Sequence, residues 1–120
     1  MRAAQARGQA AALAATAHDG AVVARVDGLD AGAMRELAVA IRDQPGINTV
    51  VVGGTPTGEG VTLVAAVTKD SGRSAGELIA EPARTVGGGA GRQPDIATAG
   101  GKLPDRIDDA LAQVRVALGL

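Results

Sequence analysis

The feature that most constrains this chain is the complete absence of Phe, Tyr and Trp from its 120 residues. Aromatic side chains usually supply much of the area buried in a core, so this core must be built from Val, Leu, Ile and Met. These number 13, 9, 5 and 2, whereas the 26 Ala side chains bury little area each. The sequence therefore predicts a single domain with a thin aliphatic core of moderate stability.

The same absence narrows the possible functions. Nucleic-acid bases cannot stack on aromatic rings in this chain, and a net charge of −1 gives no bulk attraction to phosphate. Any grip on nucleic acid must therefore come from a local patch of Arg, Lys and backbone amides. Without Cys, and with His18 as the only His, thiolate and multi-histidine metal sites are excluded. We expect no catalytic residues, no metal and no cofactor within this chain.

Hydrophobic runs bounded by turn residues predict an α/β domain, a small mixed β-sheet with flanking helices. The predicted element order is α-β-α-β-β-α-glycine loop-α. A helix separates the first two strands, which favours a parallel pair, while the short connection after the second strand predicts an antiparallel hairpin with the third. The predicted strands cover residues 21–26, 47–52 and 61–68.

The chain divides into an Ala-rich start and a globular remainder. Residues 2–17 are good helix formers that stop near Gly20. We interpret residues 1–19 as the end of a linking helix and residues 20–120 as the domain; a frayed terminus is the alternative for the first segment. Polar residues interrupt its apolar run, which disfavours a signal peptide or a membrane span. The expected location is the cytoplasm, with no membrane partner.

Helix signals recur through the globular part. Asp30 stands at an N-cap position, and Ser74 with Glu77 forms a capping box. Pro82 removes one backbone hydrogen bond from the helix that follows Ser74, which predicts a kink or a division there. Pro104 suits the first turn of a final helix. The apolar faces of the first and last of these helices are Met34, Leu37, Ala38 and Ile41, and Ile107, Leu111, Val114 and Leu118.

A glycine-rich loop precedes the final helix. Gly87, Gly88, Gly89 and Gly91 fall within five residues, and two more glycines follow near Lys102. The spacing fits neither a P-loop nor a dinucleotide-binding fingerprint. Glycines at this density indicate positive φ angles or a close backbone approach. Two interpretations stay open: an anion-binding concavity of backbone amides, or a tight connection packed against the sheet.

Four basic residues border this loop. Arg92 and Lys102 stand at its two edges, and Arg73 and Arg84 lie on or beside the preceding helix. Together they can form a basic surface around the glycines. For Arg73 and Arg84 taken singly, a solvated helix face is the slightly favoured interpretation.

Several segments resemble one family in combination. VTLVAAVTKD, SAGELI, VGGGAGRQPDIATAGGK and PDRIDDAL are similar to the C-terminal domain of bacterial alanyl-tRNA synthetases. VVARVDGLDAGAMRELAVAIRD resembles the first strand and helix of the same domain, so the resemblance covers roughly residues 20–118. This module is known as the DHH-associated domain and is shared with DHH phosphoesterases. The phosphoesterase branch usually has a His after its glycine loop, where this chain has Arg92, and that difference favours the synthetase branch.

The resemblance implies a function for the chain. A domain of this family contacts the outer corner of tRNA, links the aminoacylation and editing modules on one tRNA, and can dimerise through its helical part. The parent would be an ATP-dependent alanine–tRNA ligase, whose ATP and zinc sites lie in other domains. The implied partners are alanine tRNA and the upstream synthetase domains. The candidate RNA-binding residues are Arg73, Arg84, Gly87, Gly88, Gly89, Gly91, Arg92 and Lys102.

Two other functions stay open from the residues. The chain can be a structural or dimerisation module in which its Ala-rich start packs against a partner helix. It can also be the substrate-recognition domain of a DHH phosphoesterase, which would require an upstream metal-binding domain.

Overall fold

The computed structural model describes residues 17, 20–28, 30–44, 46–55, 60–68, 72, 74–90 and 95–118. Five strands form one sheet in the order β1-β2-β3-β5-β4, flanked by three helices. The strands are β1 Ala21–Arg25, β2 Thr49–Gly54, β3 Val61–Val67, β4 Gly89–Ala90 and β5 Ile96–Gly101. The helices are α1 Ala31–Arg42, α2 Ala75–Thr85 and α3 Ile107–Leu118, the last entered through a 3₁₀ turn at Pro104–Arg106.

The predicted small mixed sheet with flanking helices is confirmed. β1 lies parallel to β2 with Val23 opposite Val51, because α1 carries the chain back to the starting edge between them. β2 and β3 form the expected antiparallel hairpin, with Val51 opposite Ala65. The predicted helix over residues 2–17 lies outside the described residues except for Ala17.

The prediction of a glycine loop between α2 and the final helix was partly wrong, because this segment contains two strands, β4 and β5. β5 pairs antiparallel with β3, and the short β4 pairs antiparallel with β5. β5 has the sequence IATAGG, which lacks the β-branched run that identifies a strand. Ala97 and Ala99 are buried at 0 % and 2 % exposure. Their small side chains face the helix layer, where α2 packs closely on β5.

The helix signals had mixed outcomes. Asp30 caps α1, because its carboxylate accepts a hydrogen bond of 2.8 Å from the N–H of Ala33. The capping box at Ser74 was wrong: its side chain makes no capping hydrogen bond, and the first turn of α2 closes through the backbone, from Leu78 N–H to the Ser74 carbonyl. Pro82 does not divide α2, which continues to Thr85.

The sheet separates two aliphatic clusters. One lies beneath α1 and the other beneath α2 and α3, and the predicted apolar faces of α1 and α3 are buried in them. The α1 cluster is built around Val22, Met34, Leu37, Ile41, Val50, Val52 and Val64. The α2–α3 cluster is built around Val51, Leu63, Ile79, Val86, Ile107, Leu111 and Val114. Within the described ranges, no helix has the length and apolarity needed to cross a membrane.

Candidate nucleic-acid interface

The end of α2 is a Schellman motif that fixes the first two glycines of the candidate site. Gly87 takes a φ of +79°, a value that L side chains rarely adopt. Its N–H donates to the Arg84 carbonyl at 3.0 Å, and the N–H of Gly88 donates to the Ala83 carbonyl at 2.8 Å. Both amides are therefore used to end the helix and are engaged within the fold.

The residues that follow β5 are hydrogen-bonded to the same turn. The Val86 carbonyl accepts hydrogen bonds from the N–H groups of Lys102 and Leu103, both at 2.8 Å. This brings the backbone of Lys102 beside the turn that follows Arg84. Two candidate residues separated by 18 positions in the sequence thus meet at one corner of the sheet.

Two glycines permit this close approach of backbone to backbone. A Cβ atom at Gly88 would overlap the carbonyl oxygen of Gly100 and lie 2.8 Å from the Cα of Gly101. A Cβ atom at Gly101 would overlap the carbonyl oxygen of Val86. The interpretation as a tight connection packed against the sheet therefore holds for these two positions.

Gly89 is different from its neighbours. It is exposed, it pairs with the exposed Gly100 across the β4–β5 ladder, and a Cβ atom built on it would meet nothing within 4 Å. A Cβ atom at Gly100 would contact only the Val61 carbonyl oxygen, at 3.8 Å. We call the exposed pair Gly89 and Gly100 the glycine patch. With no side chains there, a ligand can approach the backbone of the patch closely.

Two exposed cations lie on the segments that meet at this corner. Arg84 is the second-last residue of α2 and Lys102 follows β5, and neither forms an ion pair within the described part of the chain. Two other basic side chains form ion pairs with the start of α3: Arg25 bonds Asp108 at 3.1 Å and Arg106 bonds Asp109 at 3.2 Å. The carboxylates of Asp108 and Asp109, both in the first turn of α3, are therefore paired with cations.

A second charged cluster lies at the same end of the sheet but across its width. The strand register places Arg25 of β1 level with Ala99 of β5, with Gly53 and Leu63 between them. Three strand spacings, about 14 Å, therefore separate Arg25 from β5. The N–H of Thr55 donates to Asp27 at 3.1 Å, and this bond, with that from Arg25, lowers the pKa of the Asp27 carboxyl. The cluster joins the segment after β1 to the segment after β2 through the bond between Asp27 and Thr55. It does not include the glycine patch.

The remaining candidate residues are Arg73, Gly91 and Arg92, which lie outside the described residues. Their placement beside Arg84 and Lys102 stays a prediction. No group of three or more His, Cys, Asp or Glu that could hold a metal ion occurs in the described ranges.

The fold and its glycine-rich corner define the class of domain. The profile of the DHHA1 domain family matches residues 18–119, and the chain belongs to this family. Within it, the resemblance to the C-terminal domain of alanyl-tRNA synthetase is confirmed. The chain is similar to the crystal structure of the C-Ala domain from Aquifex aeolicus alanyl-tRNA synthetase, with a TM-score of 0.71 and 26% identity over 80% of this chain and 87% of that one.

Whole alanine–tRNA ligases show the same relation in sequence. The chain is 46% identical over 84 residues to that of Desulforamulus reducens, covering 68% of this chain and 10% of the ligase. It is 45% identical over 121 residues to that of Anaeromyxobacter dehalogenans, covering 92% of this chain and 13% of the ligase. The chain thus spans roughly a tenth of the length of these relatives.

A likeness in fold alone extends further. RecJ from Thermus thermophilus, solved in complex with Mg²⁺, superposes with a TM-score of 0.70 at 16% identity, over 98% of this chain and 18% of that one. The architecture is therefore shared beyond the ligases.

Proposed function

We propose that this domain binds tRNA as the C-terminal accessory module of an alanyl-tRNA synthetase. In this role it contacts the outer corner of the tRNA and links the aminoacylation and editing modules, which reside with the ATP and zinc sites in other domains. Its partners are alanine tRNA and those domains, and its location is the cytoplasm. The relation to the C-Ala domain supports the proposal.

One structural observation carries the proposal: Arg84 and Lys102, both exposed and neither in an ion pair within the described part of the chain, lie on the two segments that meet at the corner that holds the glycine patch. A guanidinium and an ammonium neutralise phosphate oxygens, and a backbone without side chains lets ribose and phosphate come within hydrogen-bonding distance. Arg73 and Arg92 lie outside the described residues and are the further candidates for this surface. Because the chain has no aromatic residue to read bases, recognition depends on the shape and charge of the tRNA backbone.

The first test is the fluorescence anisotropy of labelled alanine tRNA mixed with the full chain. We expect whole tRNA to bind more tightly than a minihelix that lacks the outer corner. Equal binding of the two RNAs, or no binding of either, contradicts recognition of the corner.

A second test examines the cations. Lys102→Ala should weaken binding about five- to tenfold, the loss of one charge-assisted hydrogen bond. The slope of log affinity against log salt concentration should decrease by about 0.7 to 0.9, one phosphate contact. Arg35→Ala is the matched control, since Arg35 is an exposed cation on α1, across the sheet from α2. If the two variants bind alike, Lys102 does not contact phosphate.

A third test examines the glycine patch. Gly89→Val places a side chain in open space, so the fold should be preserved while close approach of RNA is blocked. We expect the same melting temperature as the unsubstituted chain and at least a tenfold loss of tRNA affinity, equivalent to about 1.4 kcal/mol. Unchanged affinity with an unchanged melting temperature removes the patch from the binding surface.

A further inference from the structure

Two threonine side chains on the sheet face covered by α1 are left without a hydrogen-bond partner. Neither Thr62 of β3 nor Thr98 of β5 forms a side-chain hydrogen bond within the described part of the chain, whereas the Thr85 hydroxyl bonds Gln113 at 2.7 Å. Thr62 is only 8 % exposed, and every fully buried side-chain nitrogen or oxygen atom among the described residues has a partner. The Thr62 hydroxyl oxygen therefore reaches the surface, where it is available to a ligand.

The strand register places both threonines beside the glycine patch. Thr62 lies directly opposite Gly100, and Thr98 stands two residues before Gly100 on β5. Ala97 and Ala99 are buried in the α2–α3 cluster, so Thr98 and Gly100 lie on the other face of the sheet, together with Thr62. Diagonal neighbours on one sheet face are about 7–8 Å apart. Gly100 and the two threonines thus form one group, which we call the hydroxyl site.

The face of the sheet is open above the hydroxyl site. α1 packs on β2 and β3, whereas β5 packs on α2 at the reverse face. Gly100 is therefore exposed and Thr98 is half-buried. A Cβ atom at Gly100 would contact only the Val61 carbonyl oxygen, at 3.8 Å. A ligand can thus rest on the Gly100 backbone with a threonine hydroxyl on two of its sides.

Two neutral hydroxyls select a different ligand group from the cations at the same corner. Arg84 and Lys102 attract phosphate oxygens, which only accept hydrogen bonds. A threonine hydroxyl both donates and accepts, and so does the 2′-hydroxyl of ribose, the group that distinguishes RNA from DNA. The hydroxyl site therefore suits the sugar of a nucleotide whose phosphate contacts the cations.

We propose that a ribose of the bound tRNA lies on Gly100 with its 2′-hydroxyl hydrogen-bonded by Thr62 and Thr98. This inference rests on the proposed function and adds that the two threonines make the domain selective for RNA over DNA. The 2′-hydroxyl donates to one threonine oxygen and accepts from the other threonine hydroxyl, and a deoxyribose leaves both unpaired. Neither threonine acts through charge, so the selectivity is insensitive to salt concentration, in contrast to the overall affinity.

The fluorescence anisotropy of two labelled alanine tRNAs with the full chain tests the inference. One tRNA is unmodified, and the other carries 2′-fluoro nucleotides at its outer corner, which keep the sugar pucker of RNA but cannot donate a hydrogen bond. We expect the unsubstituted chain to bind the fluoro tRNA about three- to tenfold more weakly, the loss of one neutral hydrogen bond. The preference should be the same at low and high salt, because the two RNAs carry the same charge.

Threonine variants assign the preference to the hydroxyl site. Thr98→Val keeps the β-branched shape of the side chain, and it should bind both tRNAs with the affinity that the unsubstituted chain has for the fluoro tRNA. Thr98→Ser should retain the preference, and Thr62→Val should lose it. Thr68→Val, the same change at a half-buried threonine beyond the far end of β3, is the matched control and should retain it. Circular dichroism verifies that each variant is folded.

Three outcomes overturn the inference alone: equal affinity of the unsubstituted chain for the two tRNAs, a full preference in both Thr98→Val and Thr62→Val, or a lost preference in Thr68→Val. Failure of the unsubstituted chain to bind either tRNA overturns the proposed function, and the inference with it. The comparison of the two tRNAs on the unsubstituted chain does not depend on whether any variant folds.

Discussion

Substituting Gly88 by Ala should be among the most damaging single changes at the corner of the sheet. The new methyl group would overlap the carbonyl oxygen of Gly100 and lie 2.8 Å from the Cα of Gly101. The obstructing atoms are backbone, so no side-chain rotation relieves the clash, and β5 must move away from the end of α2. Overpacking of this kind typically costs about 1–3 kcal/mol.

The movement also strains hydrogen bonds. The bonds from Lys102 N–H and Leu103 N–H to the Val86 carbonyl are both 2.8 Å long and join the parts that must separate. Losing one of them adds about 1 kcal/mol. The free energy of unfolding should therefore fall by about 3 kcal/mol, which for a domain of this size lowers the melting temperature by about 12 °C.

The assay is thermal denaturation followed by far-UV circular dichroism, because the chain lacks aromatic residues for fluorescence. Gly89→Ala is the matched control: the same change one residue further along, into open space. It should shift the melting temperature by less than about 2 °C, as neutral surface substitutions do. If Gly88→Ala melts within the same margin, the close packing of Gly88 on β5 is not a constraint, and the structural reason given for this glycine is refuted.

Three further perturbations probe other parts of the fold. The pKa of the Asp27 carboxyl is lowered chiefly by the hydrogen bond from the N–H of Thr55. The carboxylate therefore stabilises the fold above its ordinary pKa, and this stabilisation is lost as the pH falls. Asp27→Asn should flatten the decline of the melting temperature below about pH 4. Asp30→Ala removes the hydrogen bond to the Ala33 N–H and should lower the melting temperature by about 4 °C, with a loss near 1 kcal/mol. Ile107→Ala, at a side chain with 0 % exposure, should cost about 2–5 kcal/mol in urea denaturation, and a cost below 1 kcal/mol would contradict its place in the core.

The sequence predicts elements well where local chemistry and tertiary packing agree. Asp30 precedes apolar residues at helical spacing, and α1 begins where expected with Met34 and Ile41 buried. The strands before and after α1 have strong β-branched runs, and their parallel pairing follows from the intervening helix. For these elements a single sequence is sufficient, since each signal comes from neighbours in the chain.

β5 could not be predicted in the same way. Its two Ala and two Gly residues have little intrinsic preference for a strand, and only Ile96 and Thr98 favour one. The strand exists because β3 offers a ladder and α2 leaves room only for small side chains. The opposite failure occurs at Ser74, where the residue pattern of a capping box is present but the backbone bonds alone close the first turn. Both outcomes depend on atoms that are distant in the sequence.

The glycines illustrate how far sequence reasoning reaches at the candidate site. Gly87 stands directly after a helical pattern, and helix-ending chemistry alone could have assigned it the positive φ of a Schellman motif. Gly88 and Gly89 are indistinguishable in the sequence, yet one faces a carbonyl oxygen and the other faces open space. The reason for each of these glycines lies in what the fold places opposite it.

The two clusters on either side of the sheet have a consequence for how the chain is made. Apart from the partly buried Ile96, every member of the cluster beneath α1 lies between residues 17 and 66, so that face can be completed by the first half of the chain to leave a ribosome. The reverse face, with Val51, Leu63 and Ala65, stays uncovered until α2 and then α3 have been synthesised. Domains generally fold as their segments emerge, and an apolar sheet face that waits for its cover is prone to aggregate. Slow translation beyond β3 would lengthen that exposure, and a chaperone that binds aliphatic strands would find its target there.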